Sequence, residues 1–122
     1  MNFDPVSFYL LAGALHCSKE LDSTLDEAKY RTSISKSYYA AFLKAREGSS
    51  VTTRSESVHK QVIDFYKGKR KGSLSNRLDS LRIMRGNADY DMDCKITGRE
   101  SGNALSLSRK ILEELGEKFL NK

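Results

Sequence analysis

The stretch SKSYYAAF, residues 35–42, decides the fold class, because its aromatic and small residues recur at helical spacing. The same spacing continues on both sides, over about residues 26–46. The apolar positions of this pattern are Ala28, Ile34, Tyr38, Ala41, Phe42 and Ala45. A glycine and two serines at residues 48–50 then end it. The stretch therefore predicts a long amphipathic helix that carries the adjacent tyrosines Tyr38 and Tyr39 on an apolar stripe.

Four other segments of the chain repeat a helical pattern. Asp4 followed by Pro5 is typical of an N-cap and a first helical residue, and Ser55 can cap the third helix. The predicted helices cover about residues 5–18, 26–46, 56–67, 74–93 and 103–120. In the first helix the expected apolar face comprises Val6, Phe8, Leu10, Leu11, Ala14 and Leu15.

Length and composition agree with a small helical protein. The 122 residues are 39% hydrophobic and 30% charged, and Pro5 is the single proline. Short links between amphipathic helices favour antiparallel neighbours. We predict one all-α domain over residues 1–122, an antiparallel up-and-down bundle of four to five helices.

Several functional classes are disfavoured by the sequence. The apolar run over residues 6–17 is too short to span a bilayer, and Asp4 stands where a secretory signal has basic residues. Two cysteines and two distant histidines do not make a disulfide framework or zinc-ligand spacing. No phosphate-loop or dinucleotide-binding pattern occurs. We expect a cytoplasmic protein with no membrane partner, no metal and no cofactor.

The positive charge is unevenly distributed. The net charge is +5, and residues 67–85 carry seven cations but a single carboxylate, Asp79. These cations are Lys67, Lys69, Arg70, Lys71, Arg77, Arg82 and Arg85. Such a cluster attracts polyanions, so we expect Lys69, Arg70, Lys71, Arg77 and Arg82 to contact nucleic acid. A solvated loop followed by a charged helix is the alternative.

The segment RIMRGNADYD, residues 82–91, combines arginines, carboxylates and a tyrosine within one predicted helix. Arg82, Arg85 and Asp89 fall on one face, which would meet either an RNA phosphate or a neighbouring subunit. An ordinary i, i+4 ion pair between Arg85 and Asp89 is the simpler interpretation. Gly86 costs the helix about 1 kcal/mol relative to alanine, which suits close approach of a second backbone or a ligand, or marks a local kink.

These motifs together resemble the HEPN family (higher eukaryotes and prokaryotes nucleotide-binding domain). The resemblance is carried by residues 35–42 and 45–46, by His59 near the start of a helix, and by residues 81–91. It spans about residues 5–120. It implies an antiparallel helical bundle that forms a homodimer, and many members are metal-independent ribonucleases that act as toxins or in phage defence.

The family's active site is an arginine followed, after four to six residues, by a histidine. Arg85 matches the arginine, whereas Tyr90 stands at the histidine position. Metal-free RNA cleavage needs a proton acceptor, a cation and an acid, and a phenol with a pKa near ~10 is a poor base. The resemblance implies a site of Arg85, Asn87, Asp89 and Tyr90, with Asp89 or Asp91 as the replacement base. His59 is interpreted as a hydrogen-bonded structural histidine.

Three functions remain open at the level of sequence. The first is a homodimeric RNA-cleaving toxin or defence effector. The second is a non-catalytic module of the same fold that binds nucleic acid, a nucleotide or a nucleotidyltransferase partner. The third is a purely structural helical adaptor. In some family members a nucleotidyltransferase antitoxin modifies a tyrosine near the motif, and Tyr90 is the corresponding residue by position.

Overall fold

A computed structural model of the chain describes residues 3–52, 55 and 57–119. This part of the chain forms five α-helices and one turn of 3₁₀ helix, Ser23–Leu25, and contains no strand. The α-helices are α1, Val6–Cys17; α2, Asp26–Glu47; α3, Val58–Gly68; α4, Gly72–Tyr90; and α5, Gly98–Glu114. The predicted all-α helical bundle is thereby confirmed.

The second helix, α2, lies at the centre and contacts each of the other four helices. Small side chains on α2 allow the neighbouring helices to approach closely. Ser33 is fully buried and donates from its hydroxyl to the Ala12 carbonyl at 2.8 Å. On the α5 side, the Ser108 hydroxyl donates to the Ser37 carbonyl at 2.8 Å. These two hydroxyls donate directly to backbone carbonyls of the neighbouring helix, so α2 lies close to α1 and α5 at these points.

The helix directions place two contacting pairs in parallel. Asp4 faces Lys44 and Ala12 faces Ser33, so α1 and α2 are antiparallel. The α4 helix is also antiparallel to α2. In contrast, Tyr38 contacts His59, and farther along both helices Ala45 accepts a hydrogen bond from Tyr66. The α3 helix therefore runs in the same direction as α2. So does α5, because Ser108 bonds to Ser37 and, farther along both segments, Glu117 pairs with Lys44.

Several predicted helix boundaries were wrong. The last helix begins at Gly98 rather than near Asn103, because Thr97 and Glu100 form a capping box. The fourth helix ends at Tyr90 rather than near Asp93. In the third, Ser57 is the N-cap and the first helical residue is Val58. The predicted first residue of that helix, Glu56, lies outside the described residues, as does Leu120 at the predicted end of the last helix.

The predicted apolar face of α1 is mostly not covered. None of its six residues is fully buried: Leu10 and Leu11 are 61% and 47% exposed, and Ala14 is also exposed. The fully buried residue of α1 is Ala12, which the predicted face did not include. The reason is position, because α1 lies at the edge of the bundle against α2 and α5 alone. We call Leu10, Leu11 and Ala14 the α1 stripe. Ala28 of α2, also predicted to be buried, is exposed.

No helix of the described residues combines the length and the apolar character that a bilayer crossing requires. Cys17 and Cys94 are both free thiols. Within the same residues, no group of three or more histidine, cysteine, aspartate or glutamate side chains is arranged to hold a metal ion.

Candidate functional site

Arg85 lies on the side of α4 that faces α2, and its side chain is 16% exposed. Its Nε donates to the Asp89 carboxylate at 3.0 Å, and its Nη2 donates to the hydroxyls of Tyr39 at 2.8 Å and Tyr90 at 3.3 Å. The guanidinium carbon lies 5.2 Å from the Tyr39 ring centre and 5.3 Å from the Tyr90 ring centre. The cation is therefore held between two phenol rings that also accept its hydrogen bonds.

Asp89 joins α4 to α2. The carboxylate oxygen that accepts from Arg85 also accepts from the Ser35 hydroxyl at 3.3 Å. The Asp89 side chain is 24% exposed, so the pair with Arg85 is more shielded from water than most i, i+4 pairs on a surface. The structure thus brings Arg85, Asp89 and Tyr90 together, as the sequence predicted for these three residues.

His59 lies near Tyr38 and Tyr39 of α2. Its Nδ1 is 2.5 Å from the hydroxyl of Tyr38, and its ring is stacked on Phe42 with 4.2 Å between the ring centres. Its ring centre is 6.5 Å from that of Tyr39, the residue that accepts from Arg85. Burial, followed by the charges of Arg82 and Arg85, holds the pKa of His59 below its ordinary value. Burial raises the pKa of Tyr38, so that phenol stays protonated.

The proximity of His59 to Arg82 and Arg85 follows from the α3–α4 hairpin. These two helices are antiparallel and meet at a turn centred near Arg70, so residue 59 lies roughly opposite residue 81. The contact between His59 and the region of Arg82 could have been predicted from the sequence, by counting equal numbers of residues in both directions from this glycine-flanked turn. We call the following residues the Arg85 cluster: Ser35, Tyr38, Tyr39, His59, Arg82, Arg85, Asp89 and Tyr90.

The structure does not bring Asn87 to this cluster. Asn87 is two residues from Arg85, which turns it about 200° around the helix. Its side chain borders a small pocket with Ile96 and Glu100, and its carbonyl accepts from Arg31. The Asp91 carboxylate is also directed elsewhere, because it accepts from the backbone N–H groups of residues 93 and 94.

The predicted nucleic-acid contacts divide into three groups. Lys69, Arg70 and Lys71 are all exposed at the tip of the α3–α4 hairpin, about 20 Å along α4 from the Arg85 cluster. Arg77 is turned towards α5, where it forms an ion pair with Glu114. Arg82 belongs to the cluster itself.

A shallow groove of about 250 Å³ runs between α3 and α4, from near the hairpin tip to Arg82. It is lined by three cations, two carboxylates and uncharged side chains, and Lys60 is paired with Asp64 at 3.0 Å. The lining residues are Lys60, Ile63, Asp64, Lys67, Ser75, Asn76, Asp79 and Arg82. The groove therefore links the basic tip to the Arg85 cluster, but its own excess of positive charge is small.

The outer face of α4 carries a second exposed stripe. Asn76, Asp79, Ile83, Gly86 and Tyr90 recur at intervals of three and four residues, so they lie in one row along the helix. Ile83 is 60% exposed and Tyr90 71% exposed. A Cβ placed on Gly86 would meet no atom within 4 Å. This α4 stripe borders Arg82 and Arg85, and no part of the described chain covers it.

Comparison of the chain with models of known families, with curated proteins and with solved structures gives no match. What the Arg85 cluster can do must therefore be judged from its chemistry. Two guanidinium groups, two phenol hydroxyls and an imidazole converge on one half-buried surface, and Asp89 is the only carboxylate bonded to Arg85 among the described residues. Such a set of donors suits an anion with several acceptor oxygens.

Proposed function

We propose that this chain is a HEPN-like RNA-binding protein that holds a backbone phosphate at the Arg85 cluster. The observation that carries the proposal is the pair of partly buried arginines, Arg82 and Arg85: among the described residues only Asp89 forms an ion pair with either, and Asp79 lines the same groove as Arg82 without pairing with it. Arg82 has no ion pair within the described residues. An unbalanced, shielded positive charge of this kind favours a phosphate from solvent.

The geometry of Arg85 also suggests how a phosphate would enter. The Arg85 side chain makes three hydrogen bonds, and the one from Nη2 to Tyr90 is the longest, at 3.3 Å. The Tyr90 side chain is also mostly exposed. Rotation of this one side chain would expose the guanidinium without disturbing the bonds to Asp89 and Tyr39. Phosphate would then replace the phenol as acceptor. The basic hairpin tip would attract the rest of the RNA strand, with the strong salt dependence typical of such contacts.

We further propose a homodimer that pairs the α4 stripes of two copies. The exposed Ile83 and Tyr90 supply apolar surface, and Gly86 leaves room for a second helix to approach. Because the Arg85 cluster borders this stripe, pairing would bring two clusters to one shared groove. A strand of RNA in that groove would meet guanidinium groups from both subunits.

Metal-independent RNA cleavage, as a toxin or defence effector, is the second candidate function. One observation favours it: the Asp89 carboxylate lies against Arg85, so a base and a cation flank the same position. The Asp89 carboxylate would take the 2′-hydroxyl proton as O2′ bonds to phosphorus, and Arg85 would stabilise the phosphorane charge. The protonated Asp89 would then give that proton to the 5′-oxygen as the bond from phosphorus to this oxygen breaks. A nucleotidyltransferase antitoxin, if the chain has one, would find the Tyr90 ring exposed at this site.

One experiment tests both candidates. The protein is mixed with RNA in the presence of a chelator at low and high salt, beside Arg85→Lys and Tyr90→Phe. As a matched control, Lys110→Ala removes one positive charge from an exposed position of α5. We expect salt-sensitive retention of RNA by the wild type and the control, and retention weakened roughly tenfold by Arg85→Lys, which loses the fork of donors.

The outcomes separate the two functions. Cutting of RNA by the wild type that Arg85→Lys abolishes supports the ribonuclease. Intact RNA with salt-sensitive retention supports the binding module alone. An absence of retention at low salt, or equal loss in Arg85→Lys and Lys110→Ala, would contradict the proposal.

A further inference from the structure

We propose that His59 is a third phosphate-binding residue of the Arg85 cluster, an uncharged imidazole that donates its Nε2–H to the bound phosphate. The inference rests on the proposed function, because it assigns a role to a residue beside the same phosphate. It adds a contact from α3 to a site that the sequence places on α4 alone.

The first step concerns which ring nitrogen carries the proton. The Tyr38 side chain is fully buried, and a buried hydroxyl requires an acceptor for its hydrogen. The His59 Nδ1, 2.5 Å away, is the acceptor within reach. When the phenol donates to Nδ1, the single proton of a neutral imidazole must reside on Nε2.

The second step concerns the direction of that proton. The imidazole ring is fixed by stacking on Phe42, with an angle of 26° between the ring planes. Nε2 lies on the far edge of the ring from Tyr38. Because Tyr38 is in the core whereas His59 is only partly buried, the Nε2 edge is the outward one.

The third step concerns charge. Arg82 and Arg85 of α4 both act on His59, whereas Tyr38, Tyr39 and Phe42 of α2 present uncharged rings to it. Burial and these two cations keep the pKa of the imidazole low, so the ring is neutral near pH 7. A neutral donor adds a hydrogen bond for the phosphate without adding a third repelling cation.

The same tautomer excludes a role as general base, since the lone pair of Nε2 is absent when that nitrogen holds a proton. The two roles predict different behaviour of His59→Gln. The glutamine amide supplies an N–H donor close to the position of Nε2, but it cannot accept a proton. His59→Ala removes the donor altogether.

The test measures binding of a short labelled single-stranded RNA to the wild type, His59→Gln and His59→Ala. We expect His59→Ala to bind about three- to tenfold more weakly than the wild type, the range for loss of one neutral hydrogen bond, and His59→Gln to recover most of that loss. The inference is overturned if His59→Ala binds like the wild type, or if His59→Gln binds as weakly as His59→Ala. If the wild type itself binds no RNA, the proposed function fails and this inference fails with it.

A second measurement does not depend on the folding of variants. Nitrogen-15 spectra of the wild-type imidazoles report which nitrogen is protonated. We expect His59 to carry its proton on Nε2 and the signal of that nitrogen to move when inorganic phosphate or RNA is added. A proton on Nδ1 in the free protein, or an Nε2 signal that RNA leaves unchanged while it binds, would overturn the inference.

Discussion

Gly86 stands beside Arg85 in the middle of α4, where glycine costs about 1 kcal/mol relative to alanine. Apart from the adjoining residues and backbone of α4 itself, no atom of the described chain comes within 4 Å of the position its Cβ would take. Gly86→Ala should therefore stabilise the isolated subunit by about 0.5–1 kcal/mol. Urea unfolding in an Ile83→Asp background, which weakens the proposed pairing of α4 stripes, measures this gain.

Gly13 provides the matched control, because it is also a helical glycine with nothing near its Cβ position. Gly13→Ala should give a similar gain. If the Gly86 site is reserved for a second subunit, Gly86→Ala alone will lower dimer affinity while it raises subunit stability. A loss of stability in the Ile83→Asp background would show that the space beside Gly86 is already occupied within one chain.

His59 links stability to pH through its lowered pKa. The unfolded chain, with an ordinary histidine pKa of about 6.5, takes up a proton before the folded chain does. The free energy of unfolding should therefore fall as pH drops below about 6.5, until the folded-state pKa is passed. Urea titrations at about pH 7.5 and pH 5.5 should show a larger loss for the wild type than for His59→Gln. Equal losses would contradict this assignment.

Arg31 stabilises the end of a helix rather than the Arg85 cluster. Its guanidinium donates to the carbonyls of residues 87, 88 and 91 at the end of α4 and to that of Cys94 at 2.6 Å. Glu27 orients it with a 3.0 Å hydrogen bond. A cation at the carboxyl end of a helix also interacts favourably with the helix dipole. The turn that follows Tyr90 therefore depends on one side chain of α2.

We predict that Arg31→Ala lowers the free energy of unfolding by about 2–3 kcal/mol, because several partly buried carbonyls lose a charged donor. Arg31→Lys should recover only part of this loss, since an ammonium group cannot reach all of the carbonyls that the fork reaches. Denaturant unfolding with Arg109→Ala as the control measures the difference. Arg109 is in an i, i+4 pair with Glu113 and lies over the Phe119 ring, so its loss should cost about 1 kcal/mol, less than the loss for Arg31→Ala.

Local patterns explain which elements could be predicted from the sequence. The start of α2 at Asp26 and the pair of Arg85 with Asp89 follow from periodicity and i, i+4 spacing, and both were predicted. The capping box at Thr97 was present in the sequence but was overlooked, which moved the predicted start of α5. Periodicity identifies an apolar face, but it does not say whether a neighbouring helix covers that face. The exposure of Leu10 was missed for this reason.

The candidate site could not be predicted from local patterns, because it is formed by contacts between different helices. Tyr39 reaches Arg85 from α2, and His59 reaches Tyr38 from α3. These contacts depend on the direction of α3, which runs parallel to α2, and on the register of the α3–α4 hairpin. Asn87 was grouped with Arg85 because it is close in sequence, although the helix turns its side chain to another face. Residues that are close in sequence on a helix share a site only when their side chains face the same side of that helix.

Among the described residues, the α1 stripe and the α4 stripe, with its exposed Ile83 and Tyr90, offer apolar surface for pairing. They are on helices that do not contact each other. A two-fold dimer needs only one self-complementary patch. The proposed function assigns this patch to the α4 stripe, because it borders the Arg85 cluster.

We predict that Ile83→Asp converts the proposed dimer to a monomer and that Leu10→Asp does not. The two residues match in exposure, at 60% and 61%, and each substitution places a carboxylate on one apolar stripe. Light scattering during size-exclusion chromatography gives the mass. A monomeric wild type, or dissociation by Leu10→Asp alone, would remove the support for a groove shared by two Arg85 clusters.

The turn between α3 and α4 holds Arg70 at a φ of 61°, a left-handed backbone conformation that glycine adopts far more easily. Arg70→Gly would relax the turn and remove a charge from the hairpin tip in the same step. A more stable hairpin and a more positive hairpin tip therefore require different residues at position 70. A thermostability screen would therefore be expected to recover substitutions of Arg70 that also weaken the proposed binding of polyanions.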